Sequence, residues 1–185
     1  MKKNLTILVD MDDCIESLTE PWIEWLNDKY ETSVQPSDIV QWEMGLFFPK
    51  LTKEQLFEPL NCDEFWKTVK PKPYAIECLK QLIDDGHEIY IVTASSYQSI
   101  KYKIENVLLV YFPFIDWKHV IITDNKQMIK GDILIDDRPH NLIGGNFKKI
   151  LMSRPHNMNF PNVEFGLLRV QSWLEIYDII SQLAK

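Results

Sequence analysis

Ile7, Leu8 and Val9 form an apolar run that stops abruptly at three aspartates, Asp10, Asp12 and Asp13, within the stretch Leu5 to Ile15. A run without polar alternation marks a strand buried on both faces, which is the situation of a strand in a parallel sheet flanked by helices. In open sheets of that kind, ligands bind in the crevice outside the carboxyl ends of the strands, where these acids fall. Asp10 and Asp12 are two residues apart, so a locally extended backbone aims both carboxylates the same way. Oxygen-only surroundings suit Mg²⁺, which takes one or two carboxylates and keeps room for water and substrate phosphate. Alternatively, the three acids open a turn or cap a helix.

Three further segments repeat the pattern of a strand ending in polar groups. Asp132-Ile-Leu-Ile-Asp136-Asp137-Arg138-Pro139 ends in paired carboxylates and a chain-turning proline, so two acidic strand ends could converge on one ion. Glu88-Ile-Tyr-Ile-Val-Thr93-Ala94-Ser95-Ser96 ends in a hydroxyl and small residues before a helix, where a side-chain hydroxyl and free backbone N–H groups can cradle phosphate. Val120-Ile-Ile-Thr123 leads into Asp124-Asn125-Lys126 and so brings a compact cation to the same relative position. Lys130 competes with Lys126 for that role, but Lys126 follows its strand directly and is better spaced before Asp136.

Together and in this order, the four segments resemble the haloacid dehalogenase superfamily of phosphatases, and the resemblance spans most of the chain. It implies an α/β fold, a doubly wound Rossmann-like parallel sheet with a small helical cap inserted after the first strand. Residues 1–13 and 71–185 would form the core and residues 14–70 the cap. It further implies that Asp10 is the nucleophile, that Asp12 is the general acid/base, and that Thr93, Ala94 and Lys126 bind phosphate. Mg²⁺ would be held by Asp10, the carbonyl of Asp12, and Asp136 or Asp137, with the choice between the last two open. Asp13 and Cys14 depart from the superfamily pattern, where Gly and then Thr or Val are frequent, but neither carries the expected chemistry.

That chemistry is coherent by itself. A phosphate monoester dianion repels a carboxylate nucleophile unless a cation neutralises it. One aspartate can attack phosphorus while the other protonates the leaving alkoxide and later deprotonates the attacking water. Carbon–halogen cleavage would need only the first aspartate, so Asp12 favours phosphoryl transfer.

The segment from Cys14 to about Lys70 carries Trp22, Trp25, Leu26 and Tyr30 at helical spacing after Pro21, a capping box at Thr52-Lys-Glu-Gln55, and Asp63 as a cap for a short helix through Phe65 and Trp66. A small cap needs a core, so most of its rings are packing residues. The loop-like stretch Trp42 to Pro49, with a glycine, a proline and three large rings, is the exception. This stretch, the Ile135-to-Pro139 ending and Tyr111-Phe-Pro-Phe114 resemble the 5'(3')-deoxyribonucleotidase branch of the superfamily. The branch implies Mg²⁺-dependent hydrolysis of a deoxyribonucleoside monophosphate, a small-molecule partner, with Phe47, Phe48 and Trp66 as candidates for the base pocket. Two rivals remain: the same mechanism on a sugar phosphate or another small phosphorylated metabolite, or a binding protein with a vestigial phosphate site.

Composition narrows the setting. The 185 residues, 45% of them hydrophobic, suffice for one core domain with an insertion. A net charge of -7 disfavours a nucleic-acid polymer as partner, because such binding requires a cationic surface. The longest apolar runs, such as Val107 to Tyr111, are too short for a membrane span, and Met1-Lys2-Lys3-Asn4 leads into the first strand without a cleavable signal. No membrane partner is expected, the expected location is cytoplasmic, and a homodimer is compatible with the chain. Cys14, Cys62 and Cys78 read as reduced thiols, and the four histidines show no zinc spacing. Towards the end, residues 74–85 read as a helix closed by Gly86, Lys149 to Met152 as a strand, Ser153 to Asn162 as a surface loop, and Ser172-Trp-Leu-Glu175 as a capping box opening a terminal helix.

Overall fold

The computed structural model of the protein describes residues 3–185; Met1 and Lys2, which begin the leader-free start expected above, lie outside the described residues. The first apolar run is strand β1 (Thr6–Val9), and the chain turns through the acidic residues into a two-residue strand β2 (Glu16–Ser17). Helices α1 (Thr19–Tyr30), α2 (Lys53–Phe57) and α3 (Asp63–Trp66) follow. Strand β3 (Lys70–Pro71) then returns antiparallel to β2, so a two-stranded ribbon joins both ends of this helical segment. The remaining chain alternates through α4 (Ala75–Asp84), β4 (Glu88–Thr93), α5 (Tyr97–Lys103), α6 (Leu109–Tyr111), β5 (Val120–Ile122), β6 (Ile133–Asp136) and α7 (Pro139–Leu142). It ends with β7 (Lys148–Met152), β8 (Leu167–Val170) and α8 (Trp173–Leu183). Between α5 and α6 the helix widens into a π turn, Ile104–Leu108.

Six strands form one parallel sheet in the order β5-β4-β1-β6-β7-β8. The chain steps outward from β1 to β4 and β5, then crosses to β6 on the other side of β1, which makes the carboxyl end of β1 a topological switch point. Val9 is level with Ile91 on one neighbour and Ile135 on the other, so Asp10 and Asp136 leave the sheet at the same height. The lack of polar alternation in β1 has its expected cause. Ile7 and Val9 join a core layer shared with α4, α8 and the helical segment, while Leu8 joins a second layer with Val92, Leu134 and Leu151 on the opposite face.

Local signals place most helices. Thr52 Oγ1 accepts from Gln55 N at 3.2 Å while Gln55 Oε1 accepts from Thr52 N at 2.8 Å, a reciprocal capping box. At α8, Ser172 Oγ accepts from Glu175 N at 3.3 Å. Gly86 follows α4 at φ +91°, a conformation open to glycine without strain. Asp63 is a correction: it is the first residue of α3 rather than its cap, and its carboxylate takes Lys67 at 2.6 Å and Asn106 at 2.8 Å. Strand β8 had no forecast, because four residues with only Leu167 and Val170 buried leave too short a pattern. Among the described residues no helix is long and apolar enough to cross a membrane.

The turn after β1 is anchored from the far end of the chain. Trp173, almost wholly buried in α8, donates from Nε1 to the carbonyl of Cys14 at 2.9 Å. Trp173→Phe strands that buried carbonyl and leaves part of the indole's space unfilled, and should cost at least about 1–3 kcal/mol in urea unfolding. An unchanged midpoint would show that the anchor contributes nothing to stability.

Candidate active site

Asp10 extends β1, and its backbone N donates to Ile135 O at 2.9 Å, tying it to β6. The next residues fold around one acceptor, the carbonyl of Met11, which receives the backbone N–H groups of Cys14, Ile15 and Glu16 at 3.0–3.4 Å. This tight turn requires a left-handed residue, Asp13 at φ 56°. A non-glycine residue there is strained, and side-chain contacts offset the strain. The Asp13 carboxylate takes the backbone N and hydroxyl of Thr19, and Lys72 and Arg154 at 3.3 Å each. Arg154 also donates to the Asp13 carbonyl. The residue that departs from the superfamily pattern thus joins the turn to β3's end and to the loop after β7.

Lys126 lies on a short 3₁₀ turn beyond β5 and is fully buried. Its ammonium sits 2.5 Å from Asp10 Oδ1 and 2.6 Å from Asp136 Oδ2. Burial alone would lower its pKa, but the two carboxylates outweigh burial and hold it above the ordinary lysine value. Asp136 is further committed, since Oδ1 accepts from Arg138 N at 2.8 Å and Asn141 Nδ2 reaches both oxygens at 3.1 Å. Asp137 is different: its Oδ1 is buried without a hydrogen-bond partner.

Potential ligand atoms of Asp10, Cys14 and Asp137 lie within 4.8 Å of one another. Burial first, and then the neighbouring aspartates, push the Cys14 thiol well above its usual value, so it stays protonated and is a poor ligand. Two carboxylates, one of them with an orphaned oxygen, make an oxygen donor set that fits a hard cation such as Mg²⁺.

Thr93 is wholly buried at the end of β4, and its hydroxyl accepts from Lys103 Nζ at 3.0 Å. Ala94 is exposed on the wall of a cavity. The cradle expected at the following helix start is partly taken: Ser96 caps α5 by accepting from Ser99 N at 3.2 Å.

Two cavities meet at Asp12. One, of about 920 Å³, has mixed walls in which Ser95, Gln98, Lys103 and Thr123 stand beside Leu18, Ala94 and Ile122. The other, of about 550 Å³, is walled by apolar groups such as Trp22, Ile39, Trp42, Met44 and Leu56, and reaches Asp137. Trp66 lines the first, with its Nε1 held by Leu60 O at 2.9 Å. Phe47 and Phe48 line neither. Phe48 is 2% exposed within the core, and Phe47 packs half-buried against the same core, because this short segment must supply apolar surface beneath α2. The ring from this stretch that lines a cavity is Trp42, 46% exposed, with the Arg138 guanidinium 4.4 Å from its centroid and His156 edge-on at 5.2 Å. Trp42 carried a signal, being in a loop with glycine and proline, and Phe47 and Phe48 share that signal without reaching a cavity.

Three charged groups at the site had no distinguishing signal. Lys103 Nζ is 2.7 Å from Asp12 Oδ2, Arg154 clamps Asp13, and Glu16 is wholly buried beside Asp12. Burial, followed by the Asp12 charge and hydrogen bond, pushes Glu16 well above the carboxylate range. Neither of its oxygens meets a donor among the described residues.

Residues 3–185 match the family described as 5' nucleotidase, deoxy (pyrimidine), cytosolic type C protein. The 5'(3')-deoxyribonucleotidase of Bacillus subtilis (strain 168) is 33% identical over 178 residues, 95% of this chain and 97% of that protein. That of Clostridium acetobutylicum is 30% identical over 170 residues, 92% of this chain and 91% of that protein. A haloacid dehalogenase (HAD) family hydrolase from Deinococcus radiodurans R1, solved with bound phosphate and sodium, superposes with a TM-score of 0.68 at 13% identity, covering 96% of this chain and 95% of that one. A HAD hydrolase from Bacillus subtilis bound to magnesium superposes with a TM-score of 0.58 at 14% identity, covering 97% and 99%. The fold is therefore the α/β fold of HAD-type hydrolases.

Two outcomes follow from the acidic turn. Asp13→Ala should destabilise the protein by about 3 kcal/mol by leaving Lys72 and Arg154 without their shared carboxylate, and Asp13→Gly by about 1 kcal/mol less, because glycine accepts the left-handed backbone. Equal losses would mean that the backbone strain is negligible. The second concerns pH in the presence of a chelator. Burial, opposed by Lys126, raises Asp10 to about 7. A carboxylate raised on folding makes the native state bind more protons than the unfolded state, so its contribution to stability falls as pH rises through that window. His156, held down by burial, acts in the opposite direction. The measurement is therefore the difference in thermal midpoint between Asp10→Asn and the natural chain, which should move in favour of the variant from about pH 5 to about pH 7.5. A difference independent of pH would dismiss the raised Asp10.

Proposed function

The chain belongs to the family of cytosolic type C 5' nucleotidases, and from that premise we propose that it is a Mg²⁺-dependent phosphoric monoester hydrolase acting on deoxyribonucleoside monophosphates through an aspartyl-phosphate on Asp10. One observation carries the reading: Asp137 belongs both to a buried charged cluster with Asp10, Lys126 and Asp136 and to the wall of an apolar cavity that also carries a large aromatic ring, Trp42. Phosphate belongs at such a cluster, and a flat base in such a cavity. Residues 1–13 and 71–185 act as the catalytic core and residues 14–70 as the cap that supplies the cavity wall. The family relationship and the three free cysteines suit a reducing cytoplasm.

In this mechanism Asp10 attacks phosphorus as the bond to the leaving oxygen breaks, and Asp12 gives that oxygen a proton. Asp12 then takes a proton from the water that hydrolyses the aspartyl-phosphate, which restores Asp10 as a carboxylate and Asp12 as an acid. Asp10 must be ionised to attack, and Lys126 beside it supports that state while also offering charge to the phosphate oxygens. Ala94, on the wall of the larger cavity, lies on the phosphate's approach, and Thr93 is buried behind it at the end of β4. Asp10, Asp137 and the carbonyl of Asp12 would hold Mg²⁺. Asp136 instead fixes Lys126, because both of its oxygens are already engaged while Asp137 keeps one unpartnered. When bound, the ion supplies positive charge that neutralises the phosphoryl oxygens and the nucleophile. Trp42 and Phe57 take the place of Phe47 and Phe48 as candidates for the base, with Trp66 on the wall of the adjoining larger cavity.

The test is phosphate release with Mg²⁺ from deoxynucleotides, ribonucleotides and sugar phosphates. Deoxyribonucleoside monophosphates should lead, and Asp10→Asn should lose at least about a thousandfold in kcat. Sugar phosphates leading would overturn the nucleotide assignment while sparing the chemistry. An active Asp10→Asn would overturn the nucleophile.

A further inference from the structure

Two lysine ammonium groups are buried at this site, and the proposed chemistry uses only Lys126. Lys103, at the last position of α5, has a side chain just 2% exposed. Its ammonium lies 2.7 Å from Asp12 Oδ2 and 3.0 Å from Thr93 Oγ1, and 5.5 Å from the centre of the Trp66 ring. It therefore joins the acidic turn after β1, the end of β4 and the helical segment. The backbone is irregular at the same place, since the π turn begins at Ile104, the residue after Lys103. A π turn inserts an extra residue into a helix, and such turns recur at functional sites because they re-aim one side chain without moving the rest. A lysine on a regular helix end would ordinarily reach solvent, whereas this one points inward and costs desolvation.

Asp12 needs such a partner. It lies where the two cavities meet, with its side chain 27% exposed, and it shares its surroundings with the Asp10 carboxylate and Glu16. Asp12 carries its proton when the substrate binds and becomes a carboxylate as the leaving oxygen takes that proton; a carboxylate beside a phosphoryl group is repelled and can escape by rotating towards the open cavity. An ammonium within hydrogen-bond distance opposes that rotation.

We propose that Lys103 is a positioning residue for the general acid/base: held by Thr93, it fixes the Asp12 carboxyl group in place to protonate the leaving alkoxide. The inference rests on the assignment of Asp12 given above. Lys103 itself transfers no proton and forms no bond. As the Asp10–phosphorus bond forms and the bond to the leaving oxygen breaks, the proton passes from Asp12 to that oxygen.

The experiment compares two substrates in Mg²⁺, a deoxyribonucleoside 5'-monophosphate and p-nitrophenyl phosphate. The alkoxide of the first needs a proton to leave, whereas the nitrophenolate of the second departs without one. Lys103→Met should lower kcat for the nucleotide by about a hundredfold or more, and for p-nitrophenyl phosphate by less than about tenfold. KM for the nucleotide should stay within about threefold, because substrate binding is not the lost function. Lys103→Arg should recover most of the nucleotide rate. Lys103→Gln, which keeps a hydrogen-bond donor, provides the same ratio of rates if the methionine variant does not fold, as judged by its thermal midpoint. Equal losses on both substrates, or a loss confined to KM, would overturn the inference, since they mean that Lys103 serves phosphate binding or the fold alone. Asp12→Asn separates the two levels. If it shows the substrate-selective loss and Lys103→Met does not, only the role of Lys103 fails; if Asp12→Asn is itself unselective, the assignment of Asp12 as general acid fails.

Discussion

The ammonium of Lys126, enclosed between Asp10 and Asp136, makes the rest of the site possible. Adjacent parallel strands that end at one height bring their terminal side chains together, and here both are aspartates. Two buried carboxylates without a cation would lose their charge or drive the strands apart, because desolvation and like-charge repulsion both favour the neutral form. Lysine delivered from the turn beyond β5 supplies the opposite charge without solvent. The arrangement still leaves Asp10 raised to about 7 and Asp137 well above the carboxylate range, in each case through burial first. Perturbed carboxylates gathered in this way mark a candidate functional site.

Around that centre, ion pairs fix parts that hydrophobic packing cannot. The turn after β1 has an acidic residue at its left-handed position, and the strain is offset by Lys72, Arg154 and Thr19, which arrive from three separate parts of the chain. Trp173 holds the following carbonyl from the last helix. Lys103 restrains Asp12 from a helix end distorted at the next residue. Each contact joins the same few residues to a different layer, so the geometry of Asp10 and Asp12 depends on the fold as a whole. In the cap, by contrast, aromatic packing dominates, as with Trp25 edge-on to Phe65 at 5.9 Å, and few rings are left over for a ligand.

Features with a local physical cause were legible in the residues: the doubly buried strand β1, the capping box at Thr52, the Ser172 cap of the last helix, whose Glu175 turns to Gln171 N instead of closing a box, the stop at Gly86, and the strand ends that carry Asp10, Thr93 and Asp136. Their local rules need no distant partner. Phe47 and Phe48 pack into the core instead of lining a cavity, because ring size and loop character describe a neighbourhood, while burial is decided by what the rest of the chain places on top. Asp63 failed as a cap because Lys67 and Asn106 compete for its carboxylate.

The sequence by itself determined the fold class, the order of the four strand ends and the kinds of group gathered there, since apolar runs and chain-ending acids act within a few residues. Only the tertiary structure decided which group meets which. It separated Asp136, engaged by Lys126 and Asn141, from Asp137 with its unpartnered oxygen; it chose Trp42 over its neighbours; and it buried Lys103 against Asp12 from 91 residues away. Charge pairing and burial depend on distance through space, and that distance exists only once the sheet has ordered its strands.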